Sequence, residues 1–182
     1  TVPGRNDPTL ALEIIARFGV EERLPAAVMS MLSAMVFQPQ LVDDRDLLVT
    51  VGENARAVSA ASERACEDGL RAEVVWRARE GEARDLGEEF VRLALIAPDE
   101  IDLLLGGGEA TVTVRGDGIG GRNTEFALAA ALSLERLSEA DWVIASLATD
   151  GQDALTGLAG AIADAGTCQR ARAAGVDPET AL

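Results

Sequence analysis

Histidine, lysine and tyrosine are absent from this chain of 182 residues. Without histidine, these residues supply no Ser-His-Asp triad, no Cys-His pair and no imidazole metal ligand. Without lysine there is no P-loop lysine and no Schiff base; all sixteen basic side chains are arginine. Aromatics are scarce, with four Phe and two Trp, so the core must be built from Leu, Val, Ile and Ala. No apolar run approaches the length of a membrane span. The first residues lack the basic region and apolar stretch of a signal peptide. Cys66 and Cys168 lie in unrelated helix-like contexts and read as reduced thiols of a cytoplasmic protein. The net charge is −15, which argues against nucleic acid and anionic membrane surfaces as partners. A phosphate ligand would need a local positive pocket against that field.

What is present has an α/β rhythm. Residues 1–43 read as a helical segment and linker. Asp7 caps a first helix with Pro8 at its first position, and Leu10, Ile14 and Ile15 form its apolar stripe up to Gly19. Pro25 opens a second helix with Val28, Met31, Leu32 and Met35, closed by Phe37–Pro39. Residues 44–182 read as an α/β domain. Strands are expected over 47–51, 72–76, 101–105, 110–114 and 142–147, and helices over 55–67, 84–96, 123–137 and 167–174. The expected architecture is three-layer α/β/α: a parallel or mixed sheet with helices on both faces, after an N-terminal helical segment.

The most informative stretch is Gly116-Asp-Gly-Ile-Gly-Gly-Arg-Asn-Thr-Glu-Phe126. Glycines let a backbone approach a ligand closely. A helix starting just beyond them directs unpaired N–H groups and the positive end of its dipole at an anion. Arg122 adds a forked permanent charge. On the glycines alone, a β-to-α turn that binds nothing is an equal alternative; the Arg-Asn-x-Glu at the helix start favours the anion site. Two more polar, Gly-rich segments are expected at strand ends: Gly106–Glu109 and Thr149–Asp153. Ligands in open α/β sheets bind where such loops converge. Glu109 reads as a turn carboxylate, as an orienter of Arg122 or as an acceptor for a substrate hydroxyl. Asp150 and Asp153 read either as Mg²⁺ carboxylates completed by phosphates or as caps of the following segment. Gly116, Gly118 and Gly121 match the spacing of a dinucleotide fingerprint, but Arg122-Asn123 follows where a small residue should pack.

Several of these motifs together resemble one family. Gly107-Gly-Glu-Ala-Thr-Val-Thr-Val-Arg-Gly116, Gly118-x-Gly-Gly-Arg-Asn-x-Glu-Phe126, Thr149-Asp-Gly-x-Asp153 and Ala159-Gly-Ala161 with Asp164 are similar to the C-terminal half of class II glycerate kinases. These are the glycerate 2-kinases of the MOFRL family, some of which carry the label hydroxypyruvate reductase. Gly52-x-Asn54, Gly81-Glu-Ala-Arg84 and the opening Thr1-Val-Pro fall in matching order, so the resemblance covers nearly the whole chain.

The resemblance implies two α/β domains with the active site between them. It implies transfer of the γ-phosphoryl group of ATP to the 2-hydroxyl of D-glycerate, with Mg²⁺. It assigns Arg122 as the catalytic basic residue. Gly107, Gly108, Glu109, Gly120, Gly121, Asn123, Glu125, Thr149 and Asp150 become substrate or phosphate contacts. Gly52 and Asn54 become cofactor contacts, and Asp150 and Asp153 metal ligands. The chain departs from the family pattern at Thr124, where Gln is usual, and at Ala148 and Ala154, where Gly is usual. It also lacks the family's N-terminal domain with its lysine and aspartate, and the family's terminal segment. The expectation is therefore a fragment, incomplete at its C-terminus and inactive alone, whose partners are D-glycerate, the N-terminal kinase domain and a second copy in a homodimer. The alternative functions are a non-catalytic anion-binding or interaction domain and, ranked lower, an NAD(P)-dependent hydroxypyruvate reductase.

Overall fold

The structure, a computed structural model, describes residues 7–36, 49, 51–137, 141–154 and 157–182. The chain divides into two compact units, Thr1–Thr50 and Val51–Leu182. The expected boundary at 43/44, the opening Thr1-Val-Pro, the stop at Phe37–Pro39 and most of the expected strand over 47–51 lie outside the described residues.

The first unit contains α1 (Pro8–Phe18), a single 3-10 turn (Glu21–Arg23) and α2 (Ala26–Ala34). The Asp7 carboxylate accepts the Thr9 N–H at 2.9 Å, Pro8 occupies the first turn, and Gly19 ends the helix at φ 59°. These are the local signals read from the sequence, and they hold because capping is decided within one turn. The apolar stripe behaves differently: Leu10, Ile14, Met31 and Met35 are all exposed.

The second unit is built on a β-α-β unit. β1 (Ala72–Glu82) runs directly into α4 (Ala83–Ile96), which returns the chain to β2 (Leu103–Thr111), parallel to β1; α3 (Asn54–Glu67) precedes them. β1 is longer than expected. It continues through Glu80-Gly81-Glu82, and Gly81 at φ 154° makes the corner into α4 without a separate turn.

The two expected strands over 101–105 and 110–114 are one strand, so Gly106–Gly108 is not a loop. None of these three glycines has positive φ. They are small because neighbours press on them. A Cβ on Gly106 would meet Phe90 and Trp76 at 3.0 Å, and one on Gly107 would overlap Asn54 and Val58. Successive strand residues point to opposite faces, so α4 covers one face and α3 the other. Gly108 lies against the Arg79 carbonyl, where the β1–β2 register shifts.

α5 (Arg122–Arg136) buries Ala127, Ala129, Ala130, Ala131, Leu132 and Leu134. Alanine lets it approach α4 closely, and Gly87 completes the fit, since a Cβ there would overlap the Phe126 carbonyl. The rare aromatics are concentrated nearby: Phe90 stacks obliquely on Trp76 at 5.1 Å and on Phe126 at 6.0 Å. β3 (Ile144–Leu147) pairs antiparallel with β4 (Gly160–Ala163), and α6 (Thr167–Ala173) follows. β4 escapes sequence reading because Gly160-Ala-Ile-Ala163 offers a single β-branched residue.

The α/β class is borne out, with helices on both faces of β1–β2. Among the described residues, however, the strands form two separate two-stranded sheets instead of one. Both cysteines are free; Cys66 is exposed and Cys168 is buried.

Candidate functional site

Near the C-terminal ends of β1 and β2 a cleft of about 600 Å³ opens within the second unit. Four structural elements and one turn supply its walls. Gly52, Glu53 and Asn54 lead into α3. Ala78 and Glu80 come from β1, Gly108 and Glu109 from β2, Arg122 from the first position of α5, and Thr149 from the turn after β3. Six of the residues singled out from the sequence therefore converge: Gly52, Asn54, Gly108, Glu109, Arg122 and Thr149. Glu53, Ala57, Ala78 and Glu80 also line the cleft and were missed. For Glu80 the signal was hidden because 80–84 reads as a turn. In the structure it is a strand residue in register with Glu109.

The cleft has uneven charge. Arg122 is exposed, and its guanidinium has no hydrogen-bond or ion-pair partner among the described residues. Around it stand Glu53, Glu80 and Glu109. α3 and α5 both begin at the cleft. The first amides of α3 lack helical acceptors, and Glu53 provides no side-chain cap. The set suits a small ligand with one anionic group and hydroxyl donors: the guanidinium and the uncapped start of α3 for the charge, carboxylates for the hydroxyls. The start of α5 was expected to offer its amides to an anion, but those of Asn123 and Thr124 donate to Asp153.

The other expected contacts do not line the cleft but hold its frame. Gly107 is covered by α3. Gly120 sits 3.6 Å, measured from an added Cβ, from the Thr124 hydroxyl, and Gly116 and Gly118 face open space. Glu125 accepts from Arg84 at 3.0 Å and ties the first turn of α5 to that of α4; Arg84 also donates to the Leu182 carbonyl at 2.6 Å. Asn123 accepts from Ser146 of β3 at 2.8 Å. The Thr124 hydroxyl accepts the Gly121 N–H at 2.8 Å, the return half of a capping box.

The turn Thr149–Asp153 takes its left-handed residue at Gly151, φ 80°. Asp150 is exposed and accepts the Gln152 N–H at 3.1 Å within that turn. Asp153 reaches α5, accepting the Thr124 N–H at 2.9 Å and the Asn123 N–H at 3.3 Å. Burial works to raise the Asp153 carboxyl pKa, but the Thr124 and Asn123 donors outweigh it and hold it below the usual carboxylate range. No group of three or more His, Cys, Asp or Glu side chains among the described residues is arranged to hold a metal ion.

Compared with known proteins, the last 81 residues carry a family match. Residues 102–182 match the MOFRL family. The chain carries a MOFRL family domain, and the resemblance carried by the glycine and Arg-Asn motifs is borne out. A D-glycerate 2-kinase of Thermotoga maritima is 31% identical over 179 residues, covering 92% of this chain and 40% of that protein. A protein of Agrobacterium vitis named as a hydroxypyruvate reductase is 35% identical, covering 97% of this chain and 42% of that protein. Among solved structures, the glycerate kinase of Thermotoga maritima superposes with a TM-score of 0.74 at 29% identity, over 98% of this chain and 43% of that one. The chain thus spans less than half the length of these relatives.

Proposed function

We propose that the protein carrying this segment is a glycerate 2-kinase, and that the cleft at Arg122 receives the hydroxy acid. The observation that carries the reading is Arg122, at a helix start and without a partner among the described residues, lining the same small cleft as the register partners Glu80 and Glu109. D-glycerate has one carboxylate and two hydroxyls, which is the complement of that set. Arg122 holds the substrate carboxylate or the transferred phosphoryl group. Glu109 accepts a hydrogen bond from a hydroxyl, and the open amides at the start of α3, beside Gly52 and Asn54, face phosphate oxygens.

In the reaction, ATP supplies the γ-phosphoryl group. The bond from the γ-phosphorus to the β,γ-bridging oxygen breaks, ADP leaves with its electron pair, a P–O bond forms at the 2-hydroxyl oxygen, and the hydroxyl proton passes to solvent. Catalysis of this kind is chiefly positioning and charge stabilisation. The described residues do not form a metal cage. A divalent cation would come with the nucleotide phosphates, and Asp150 is the exposed carboxylate nearest in sequence to the cleft-lining Thr149. Since the chain spans 40–42% of its kinase and reductase relatives, the reading includes a further domain that completes the site, and residues 1–182 alone are expected to be inactive. No described helix is long and apolar enough to cross a membrane.

The test is product analysis by phosphorus NMR on the full-length protein with D-glycerate and ATP. The reading expects 2-phosphoglycerate, and its loss in Arg122→Ala. Hydroxypyruvate-dependent oxidation of NADPH, with no phosphoglycerate, would instead establish the reductase. No turnover of either substrate would leave a binding domain.

A further inference from the structure

We propose that Asp153 is a positioning residue: it serves as the N-cap that α5 lacks, and through that cap it places Arg122 in the cleft. The cap position of α5 is Gly121, which has no side chain to offer. The carboxylate comes from 32 positions further along the chain, from the turn between β3 and β4. Its Oδ2 accepts the Thr124 N–H at 2.9 Å, and its Oδ1 accepts the Asn123 N–H at 3.3 Å and the Asn123 side-chain amide at 3.5 Å. Those are the second and third residues of the helix, whose N–H groups a capping side chain normally serves.

The fit is reciprocal. A Cβ on Gly121 would overlap Asp153 Oδ1 and lie 2.7 Å from the Ala154 nitrogen. Gly121 has φ −143°, an extended backbone open to any residue, so the glycine answers to the space that Asp153 occupies. The carboxylate is itself anchored. The Asp153 N–H donates to the Leu158 carbonyl at 2.6 Å, and Ser146 donates to Asn123 at 2.8 Å, so β3, the β3–β4 turn and the start of α5 are joined. Arg122 lies between the two residues that this network fixes, Gly121 and Asn123, while its own guanidinium has no hydrogen-bond or ion-pair partner among the described residues. Its placement is therefore inherited from the backbone. The assignment gives Asp153 a role that needs no metal: both of its oxygens accept hydrogen bonds from the start of α5.

The activity arm of the test rests on the kinase reading, so two arms are independent of turnover. In the full-length protein, Asp153→Ala is expected to accelerate amide exchange at Asn123 and Thr124 by about tenfold. It should move the Arg122 Nε–H resonance and lower kcat/KM by roughly 30-fold, leaving the Mg²⁺ concentration for half-activation unchanged. The conservative variant Asp153→Asn keeps an accepting oxygen at the start of α5 and should retain most of all three, whereas its neutral amide is a poor ligand for a divalent cation. Unchanged amide exchange in Asp153→Ala overturns the proposal, and so does faster exchange with an unmoved Arg122 resonance. A tenfold rise in the Mg²⁺ requirement of Asp153→Asn, with exchange and resonance unmoved, overturns it in favour of a metal ligand. If the wild type turns over no D-glycerate, the kinase reading fails while exchange and resonance still decide the role of Asp153.

Discussion

Glu80 of β1 and Glu109 of β2 are register partners on adjacent parallel strands, and both line the cleft that contains Arg122. Like charges side by side on a sheet repel, by roughly 0.2–1 kcal/mol. Such a pair weakens the free protein and suits a ligand that brings hydroxyl donors. Glu80→Gln is therefore expected to raise stability by about that amount in urea unfolding, and to strengthen binding of small anions at Arg122. A stability loss of similar size would show that Glu80 has a structural partner instead.

Arg122→Lys separates charge from geometry. The side chain is exposed and unpartnered among the described residues, so unfolding should shift by less than about 0.5 kcal/mol. If Arg122 clamps a carboxylate or phosphoryl group with its planar fork, lysine cannot replace it. A drop in kcat/KM of roughly 100-fold is expected in the full-length enzyme, measured by steady-state kinetics. Retention of most activity would remove Arg122 from the site.

The glycines divide into two classes that look alike in the sequence. Gly108→Ala drives a methyl into the Arg79 carbonyl and should cost about 3 kcal/mol or more. Gly118→Ala meets nothing within 4 Å and has no positive φ, so it should be neutral within about 0.5 kcal/mol. Thermal unfolding of the two variants checks the contrast, and equal losses would refute it.

Asp102 and Arg71 tie together the starts of β2 and β1. The Asp102 carboxylate accepts from the Arg71 backbone N–H at 2.9 Å and from its guanidinium at 3.0 Å. The guanidinium hydrogen bonds first, and the backbone one second, bring its pKa down to about 2. A carboxyl depressed in the folded state stabilises above its unfolded value, roughly 3.9, and loses that contribution as pH falls through about 2. The stability gap between wild type and Asp102→Asn should be flat above about pH 4 and close between about pH 4 and 2. A gap that persists at the acid end would assign the loss to something other than the charge.

Local signals were readable because short-range chemistry decides them. Asp7 and Pro8 start α1, Gly19 ends it, and the alanine-rich run after Gly121 is helical, each by interactions within a turn or two. The motif residues Gly52, Asn54, Gly108, Glu109, Arg122 and Thr149 were also readable as a set. Gly106–Gly108 misled, because a glycine required by a close neighbour and a glycine required by a turn are the same letter. Glu80 was hidden for a related reason: its importance lies in its partner across the strand pair, 29 residues away.

By itself, the sequence determined the α/β class, the locally capped first helix and the resemblance to the MOFRL family, because periodicity, caps and motif spacing lie along the chain. It also excluded histidine and lysine chemistry from these residues. Only the tertiary structure decided that β2 runs straight through three glycines, that Glu80 stands beside Glu109, and that Asp153 caps α5 in place of Gly121. Those outcomes depend on which backbones approach within a methyl group of each other, and that distance is set by packing between segments far apart in the chain.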